Sequence, residues 1–261
     1  MLTILYQSLL PFFFSALIVI LITIVAEKYG TKVGGILGTL PSTIIIAFIF
    51  IALNKGVDFA SQSVAVVPAE MGINLVFLLI FILLAYRSIV IALIASMGLW
   101  TTLSTALYFL DIINIFLSLF IFIISLIFTF TFLEHIKKTP STGKVIVHYT
   151  PMKIVLRGVL TGTIIAISVL LSNMSASLSG IFSVFPAILL STMIISVREH
   201  GPKFAAGMAK SMILGSISVM SYAISIHFFY PTYGIIFGTI IAFTISVFIT
   251  FILMIIRGKI R

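Results

Sequence analysis

Apolar runs of about 18 residues or more recur along the whole chain, parted by short joints that carry its charges, glycines and prolines. They predict nine helices, over 8–26, 33–53, 60–85, 88–109, 112–133, 154–171, 177–197, 204–228 and 233–256. Runs of this length are the signature of membrane-spanning helices. The joints are short except for 134–152, EHIKKTPSTGKVIVHYTPM, the only sizeable polar loop. No room is left for a soluble catalytic or binding domain. Any function must lie within the helical bundle or at its mouths.

The punctuation of the pattern comes round twice. GGILGTLPSTIIIAFIFIALNKGVDFA, from Gly34, is echoed by SGIFSVFPAILLSTMIISVREHGPKFA, from Ser179. Aligned without gaps, Gly35 meets Gly180, Ile36 meets Ile181, Pro41 meets Pro186, Ile49 meets Ile194, Gly56 meets Gly201, Phe59 meets Phe204 and Ala60 meets Ala205. Apolar identities arise easily in such a chain, so the Gly, Pro and Gly at matched offsets carry the claim of an internal duplication. Residues 1–110 form the first four-helix repeat, 111–152 a connector helix and loop, and 153–261 the second repeat. Four helices plus one connector is an odd number of crossings, so the second copy enters from the opposite face. The expected fold is all-α, with two inverted four-helix repeats.

Composition agrees with a membrane setting: 61% of residues are hydrophobic and 8% charged, and mean hydropathy is +1.35. There is no cysteine, which removes disulfides, thiolate metal sites and cysteine nucleophiles from consideration. The net charge of +9 does not point to nucleic acid, because the cations sit at helix ends and no basic soluble domain exists. If all nine segments cross, 13 of the 15 cations fall on one side, Lys55 alone falls on the other, and Lys210 lies inside a helix. The positive side is cytoplasmic, which places the N-terminus outside and the C-terminus in the cytoplasm of a multi-pass protein of the cell membrane. The opening MLTILYQSLLPFFF has no basic n-region or cleavage site and is read as a retained helix rather than a signal peptide.

Few residues in the apolar segments can carry chemistry. Pro41 and Pro186 each fall mid-helix, where proline removes a backbone donor and frees polar groups at membrane depth. Thr39, Ser42 and Ser183 supply hydroxyls beside these breaks. Glu70 is the sharpest single residue: at about 1.5 Å per residue from residue 60, it lies some 15 Å deep in a ~30 Å core. Ser63 and Asn74 share its helix face, and Pro68 breaks the same helix. A carboxylate, an amide and a hydroxyl in one stripe suit a proton relay or a hard cation such as Na⁺. Lys210, on the matching helix of the second copy, is a candidate partner for Glu70 across the pseudo-twofold axis. The patch Trp100, Thr101, Thr102, Ser104 and Thr105 reads as helix-packing glue. No HExxH, GxSxG or P-loop occurs and the four histidines are scattered, so no catalytic residue, metal site or cofactor is expected.

The unit GIFSVFP from Gly180, followed by an apolar run into SVREHGPKFAAGMAKSMILG, resembles the GlpM-like small membrane proteins of the DUF3147 group. The likeness covers 154–256 best and 8–109 less well. It implies a duplicated or fused version of a small four-helix protein, and no site residue carries over from it. Separately, four plus one plus four helices with a long, broken third member looks like the bile-acid/sodium-symporter architecture without its first helix. In that likeness the crossing broken helices would be 57–86 and 202–229. The expectation is a secondary transporter or permease for a small solute, coupled to H⁺ or Na⁺, resident in the lipid bilayer and free to oligomerise. The alternative is a non-transporting scaffold that gathers membrane enzymes or lipids.

Overall fold

A computed structural model of the chain describes residues 5–38, 40–136 and 150–259. Thr39, the loop residues Lys137, Lys138, Lys144 and His148, and Arg261 lie outside the described residues. A π-helical turn, Leu5–Leu9, leads into α1 (Leu10–Gly38), followed by α2 (Ser42–Lys55), α3 (Val57–Val64), α4 (Val67–Ala85) and α5 (Ile89–Phe109). Then come α6 (Ile115–Thr131) with a second π-helical turn at Phe132–Ile136, α7 (Pro151–Leu171) and α8 (Ala176–Ser183). Glycine hinges at Gly201 and Gly234 divide the last helical stretch, Ala187–Lys259, into α9 (187–200), α10 (202–233) and α11 (235–259).

Among the described residues, six stretches are long and apolar enough to cross a membrane: Gln7–Ile24, Val57–Ala85, Ile89–Phe109, Ile115–Glu134, Pro151–Leu171 and Ala176–Leu253. Ser42–Lys55 is a shorter apolar helix. The described residues are thus helical throughout, with the make-up of a multi-pass membrane protein. One expected boundary moves. Helices at 8–26 and 33–53 predict a turn between them, whereas α1 runs through to Gly38 and the chain breaks at Leu40–Pro41. Nothing in 27–32 forbids a helix, while Pro41 cannot donate to one.

The hinges are sterically specified. Gly56 (φ 90°, ψ 166°) and Gly201 (φ 81°, ψ 168°) adopt one and the same backbone conformation, open only to glycine, and each follows a helix that begins just past a proline. At these matched positions α2 (42–55) and α9 (187–200) correspond residue for residue. The expected helix at 177–197 is likewise two pieces, α8 and α9, parted by Val184-Phe185-Pro186.

The segment Val57–Ala85, α3 with α4, is the centre of the bundle. It is 83% buried, against 22–39% for the other five stretches. Helix α4 is buried on nearly all of its faces and meets α5 and α6, while α3 lies on α8. Rows of large apolar side chains face outward instead on α1 (Phe13, Leu17, Leu21), α6 (Phe116, Phe120, Ile127) and α11 (Phe237, Phe248). Between lipid-facing helices, close approach of small residues replaces the hydrophobic effect as the force of association. Gly158 and Gly162 of α7 serve this role against α1: a Cβ on Gly162 would lie 2.6 Å from the Phe12 carbonyl, and one on Gly158 would lie 2.7 Å from Ile20. Gly162→Leu is therefore expected to part α1 from α7 and to cost about 3 kcal/mol or more, read as a fall in melting temperature of the purified protein in detergent.

Polar contacts gather at the two ends of the bundle. At one, Gln7 Nε2 donates to Asn54 Oδ1 (2.6 Å), Asn54 Nδ2 to Ser172 Oγ (2.8 Å) and Asn173 Nδ2 to Gln7 Oε1 (3.0 Å). Ser177 Oγ donates to Asp111 Oδ1 (3.2 Å). At the other, Lys153 pairs with Glu199, and Lys210 with Glu134.

Candidate functional site

The bend in the central helix sets up the site. Pro68 has no N–H to give, so the helix turns at Ala65-Val66 and restarts as α4 with proline in its first turn. Glu70 and Asn74 follow, one turn apart on one face of α4 and fully buried; Ser63, two turns earlier on α3, is buried as completely. The predicted polar stripe thus lies at the heart of the bundle.

Glu70 is held from α5. Ser104 Oγ donates to Glu70 Oε1 (2.9 Å), and the Trp100 indole, one turn earlier on α5, lies beside the same carboxyl. Glu70 Oε2 has no hydrogen-bond partner, and neither has Ser63 Oγ or Asn74 Oδ1. A buried polar atom without a partner is costly and rare, and three on one stripe mark a place built for something more than packing.

Asn74 ties this stripe to the second helix break. Its Nδ2 donates to the Val184 carbonyl (2.7 Å), in the non-helical bridge between α8 and α9. Proline at 186 interrupts the hydrogen-bond ladder there, and the amide of Asn74 satisfies a carbonyl in the gap. Phe185, in the same bridge, packs edge-on against Trp100 with ring centroids 4.7 Å apart, and Phe182 lies 6.2 Å from both. The site therefore draws on α4, α5 and the α8–α9 break. Gly180 lets α8 approach: a Cβ there would lie 2.0 Å from the Ser63 carbonyl.

The remaining expected site residues divide. Ser183 is buried and bonds back to the Gly180 carbonyl within its own helix (2.6 Å). Pro41 and Ser42 form the first break, where the Ser42 N–H reaches only the Leu40 carbonyl; the bonds of Glu70 and Asn74 run to α5 and the second break instead. Lys210 does not pair with Glu70. It pairs with Glu134 in the turn after α6 and lies 5.9 Å from the Phe130 ring, because its place near the start of α10 brings it to the end of α6 rather than to mid-bundle.

Trp100 and Ser104 are corrections of another kind. In the hydroxyl patch of α5 they face the carboxyl, while Thr101 and Thr102 are exposed and bond to their own helix at Met97 and Gly98. Their i, i+4 spacing on one face was the available signal. Two cavities flank α4. One, of about 260 Å³, lies among Ile73, Leu103, Ile112 and Ile121; the other, of about 70 Å³, lies among Met71, Leu75, Ile188, Leu189 and Met212. Both are apolar, and neither includes Glu70 in its lining. Among the described residues no group of His, Asp or Glu could hold a metal ion.

Residues 8–113 match the family described as protein of unknown function (DUF3147). The match falls on the first half of the chain, whereas the GIFSVFP unit that suggested the likeness lies in the second. No curated protein and no solved structure matches the chain.

Proposed function

We propose that this chain, of DUF3147 type over residues 8–113, is a secondary transporter that moves a small solute by alternating access, coupled to a cation gradient at Glu70. One observation carries the reading: a carboxyl oxygen at zero exposure without a partner, one turn from an amide that holds a broken helix together. An ionisable group kept at that depth is expensive, and the expense is retained where a charge must come and go. The matched breaks at Pro41 and Pro186 and the identical hinges at Gly56 and Gly201 support two inverted repeats in nine crossings, N-terminus outside and C-terminus cytoplasmic. On this reading the second break moves against α4 and α5 as access alternates, and the solute enters beside it.

A second reading has its own observation. The centre is closed, and both cavities beside α4 are apolar and stop short of Glu70. A non-transporting scaffold would have such a centre. Proteoliposomes carrying the purified chain separate the two: solutes that raise its melting temperature are tested for uptake under imposed pH and Na⁺ gradients. Gradient-driven uptake of any of them supports transport. Absence of both stabilising solutes and gradient-driven flux leaves the scaffold.

A further inference from the structure

Two atoms at the site are unpartnered in a complementary way. Glu70 Oε2 becomes an O–H donor when the carboxyl takes up a proton, and Asn74 Oδ1, one turn along the same face, is an acceptor lacking a donor. Resting on the transport reading, we infer that the coupling ion is a proton and that Asn74 is the positioning residue that passes its arrival and departure to the α8–α9 break. With the proton bound, a continuous chain forms: Ser104 O–H to Glu70 Oε1, Glu70 Oε2–H to Asn74 Oδ1, and Asn74 Nδ2–H to the Val184 carbonyl. Every member is satisfied, and the break is held closed with Phe185 against Trp100. When the proton leaves to whichever side has access, Glu70 Oε2 and Asn74 Oδ1 are left as two acceptors one turn apart on the same helix face. The amide turns over to give an N–H to the carboxylate, its oxygen then meets the Val184 carbonyl, and the break loses its donor. Bond direction alone converts one proton into a change at the helix break.

Among the described residues, only the Ser104 and Trp100 side chains act directly on the Glu70 carboxyl. Helix α6 and the segment from α8 to Pro186 contain none. On α10, Lys210 is paired with Glu134, His227 is bonded to Ser61 and Tyr230 to Thr239, while on α9 Glu199 is paired with Lys153. Tyr222 lies beside Tyr230, and α5 offers the carboxyl only Ser104 and Trp100.

The chain has no cysteine and a single tryptophan, which supplies two independent reporters. Val184→Cys places the only thiol in the break without disturbing the backbone carbonyl. In liposomes its rate of reaction with a small permeant thiol reagent, divided by that of a free cysteine derivative at the same pH so that ionisation of the thiol itself cancels, should rise about tenfold from acid to alkaline pH, the ratio that about 1.4 kcal/mol, roughly one hydrogen bond, supplies. The pH dependence of this ratio should vanish in Val184→Cys/Glu70→Gln and in Val184→Cys/Asn74→Leu, with Asn74→Ala as the second variant should the leucine fail to fold. Trp100 fluorescence should still titrate in the Asn74 variants, because Glu70 remains beside the indole. A pH-independent ratio in Val184→Cys, or a pH dependence of the ratio that survives removal of Asn74, overturns the inference. Proton-driven flux with pH-insensitive labelling leaves transport standing without this switch. A labelling switch without flux keeps the switch and removes the transporter.

Discussion

On the transport reading, Glu70→Gln is expected to abolish gradient-driven accumulation while leaving a folded protein. Glutamine matches glutamate in shape and can still accept from Ser104 through its carbonyl oxygen, so the packing around α4 and α5 is kept. What disappears is the ability to gain and lose a charge. Where that exchange biases a two-state helix break, its loss lowers gradient-driven uptake by about 100-fold or more, equivalent to about 2.7 kcal/mol of bias. Stability should hold or rise, since replacing a buried ionisable group by a neutral isostere removes a desolvation cost. Uptake in proteoliposomes together with a melting curve of the same preparation checks both halves. Unaltered gradient-driven uptake in the Gln variant would remove Glu70 from the mechanism. Equal loss of uptake and of fold would make it a structural residue.

Gly180→Ala is expected to be the most damaging single methyl group in the chain. Its Cβ would stand 2.0 Å from the Ser63 carbonyl oxygen and 2.5 Å from Val66 Cγ1, at the bend of the central helix. Relief requires backbone movement on one side or the other. On the α8 side, Ser168 and Ser179 bond reciprocally through hydroxyl and carbonyl (2.8 and 2.9 Å), which fixes α8 against α7. On the other side, α3 is pinned to α10 by Ser61, whose hydroxyl donates to the His227 carbonyl (2.7 Å). The cost should be at least about 3 kcal/mol, the upper range for overpacking. Gly98→Ala is the control: it lies within α5 with no atom within 4 Å of a built Cβ, and should be neutral or stabilising by up to about 1 kcal/mol. Melting of the three proteins side by side, followed by Trp100 fluorescence, decides the matter; equal stability of the two variants would refute the close crossing.

Much of this architecture was legible in the chain itself, and for a clear reason. Apolar runs of membrane length, prolines that cannot donate and glycines at matched offsets are local properties, so the helices, the breaks at Pro41 and Pro186 and the joints at Gly56 and Gly201 could be read without a neighbour in view. The same holds for the face that Glu70 shares with Asn74, which follows from helical twist. Partnership could not be read in this way. Lys210, opposite Ala65 in the gapless alignment, is expected to pair with Glu70 across a pseudo-twofold axis but meets Glu134 in space, because opposite charges attract only where the packing brings them together. Trp100 and Ser104 read in the sequence as helix-packing glue, and their place beside the Glu70 carboxyl follows only from the packing of α5 on α4. The bond from Asn74 to the Val184 carbonyl joins residues 110 apart and depends on Gly180 admitting α8 to the bend in the central helix. Composition and periodicity determined that the chain is a bundle of apolar helices with one costly carboxyl inside; only the three-dimensional packing decided that the carboxyl lies beside a broken helix, since contacts between distant segments have no trace in local pattern.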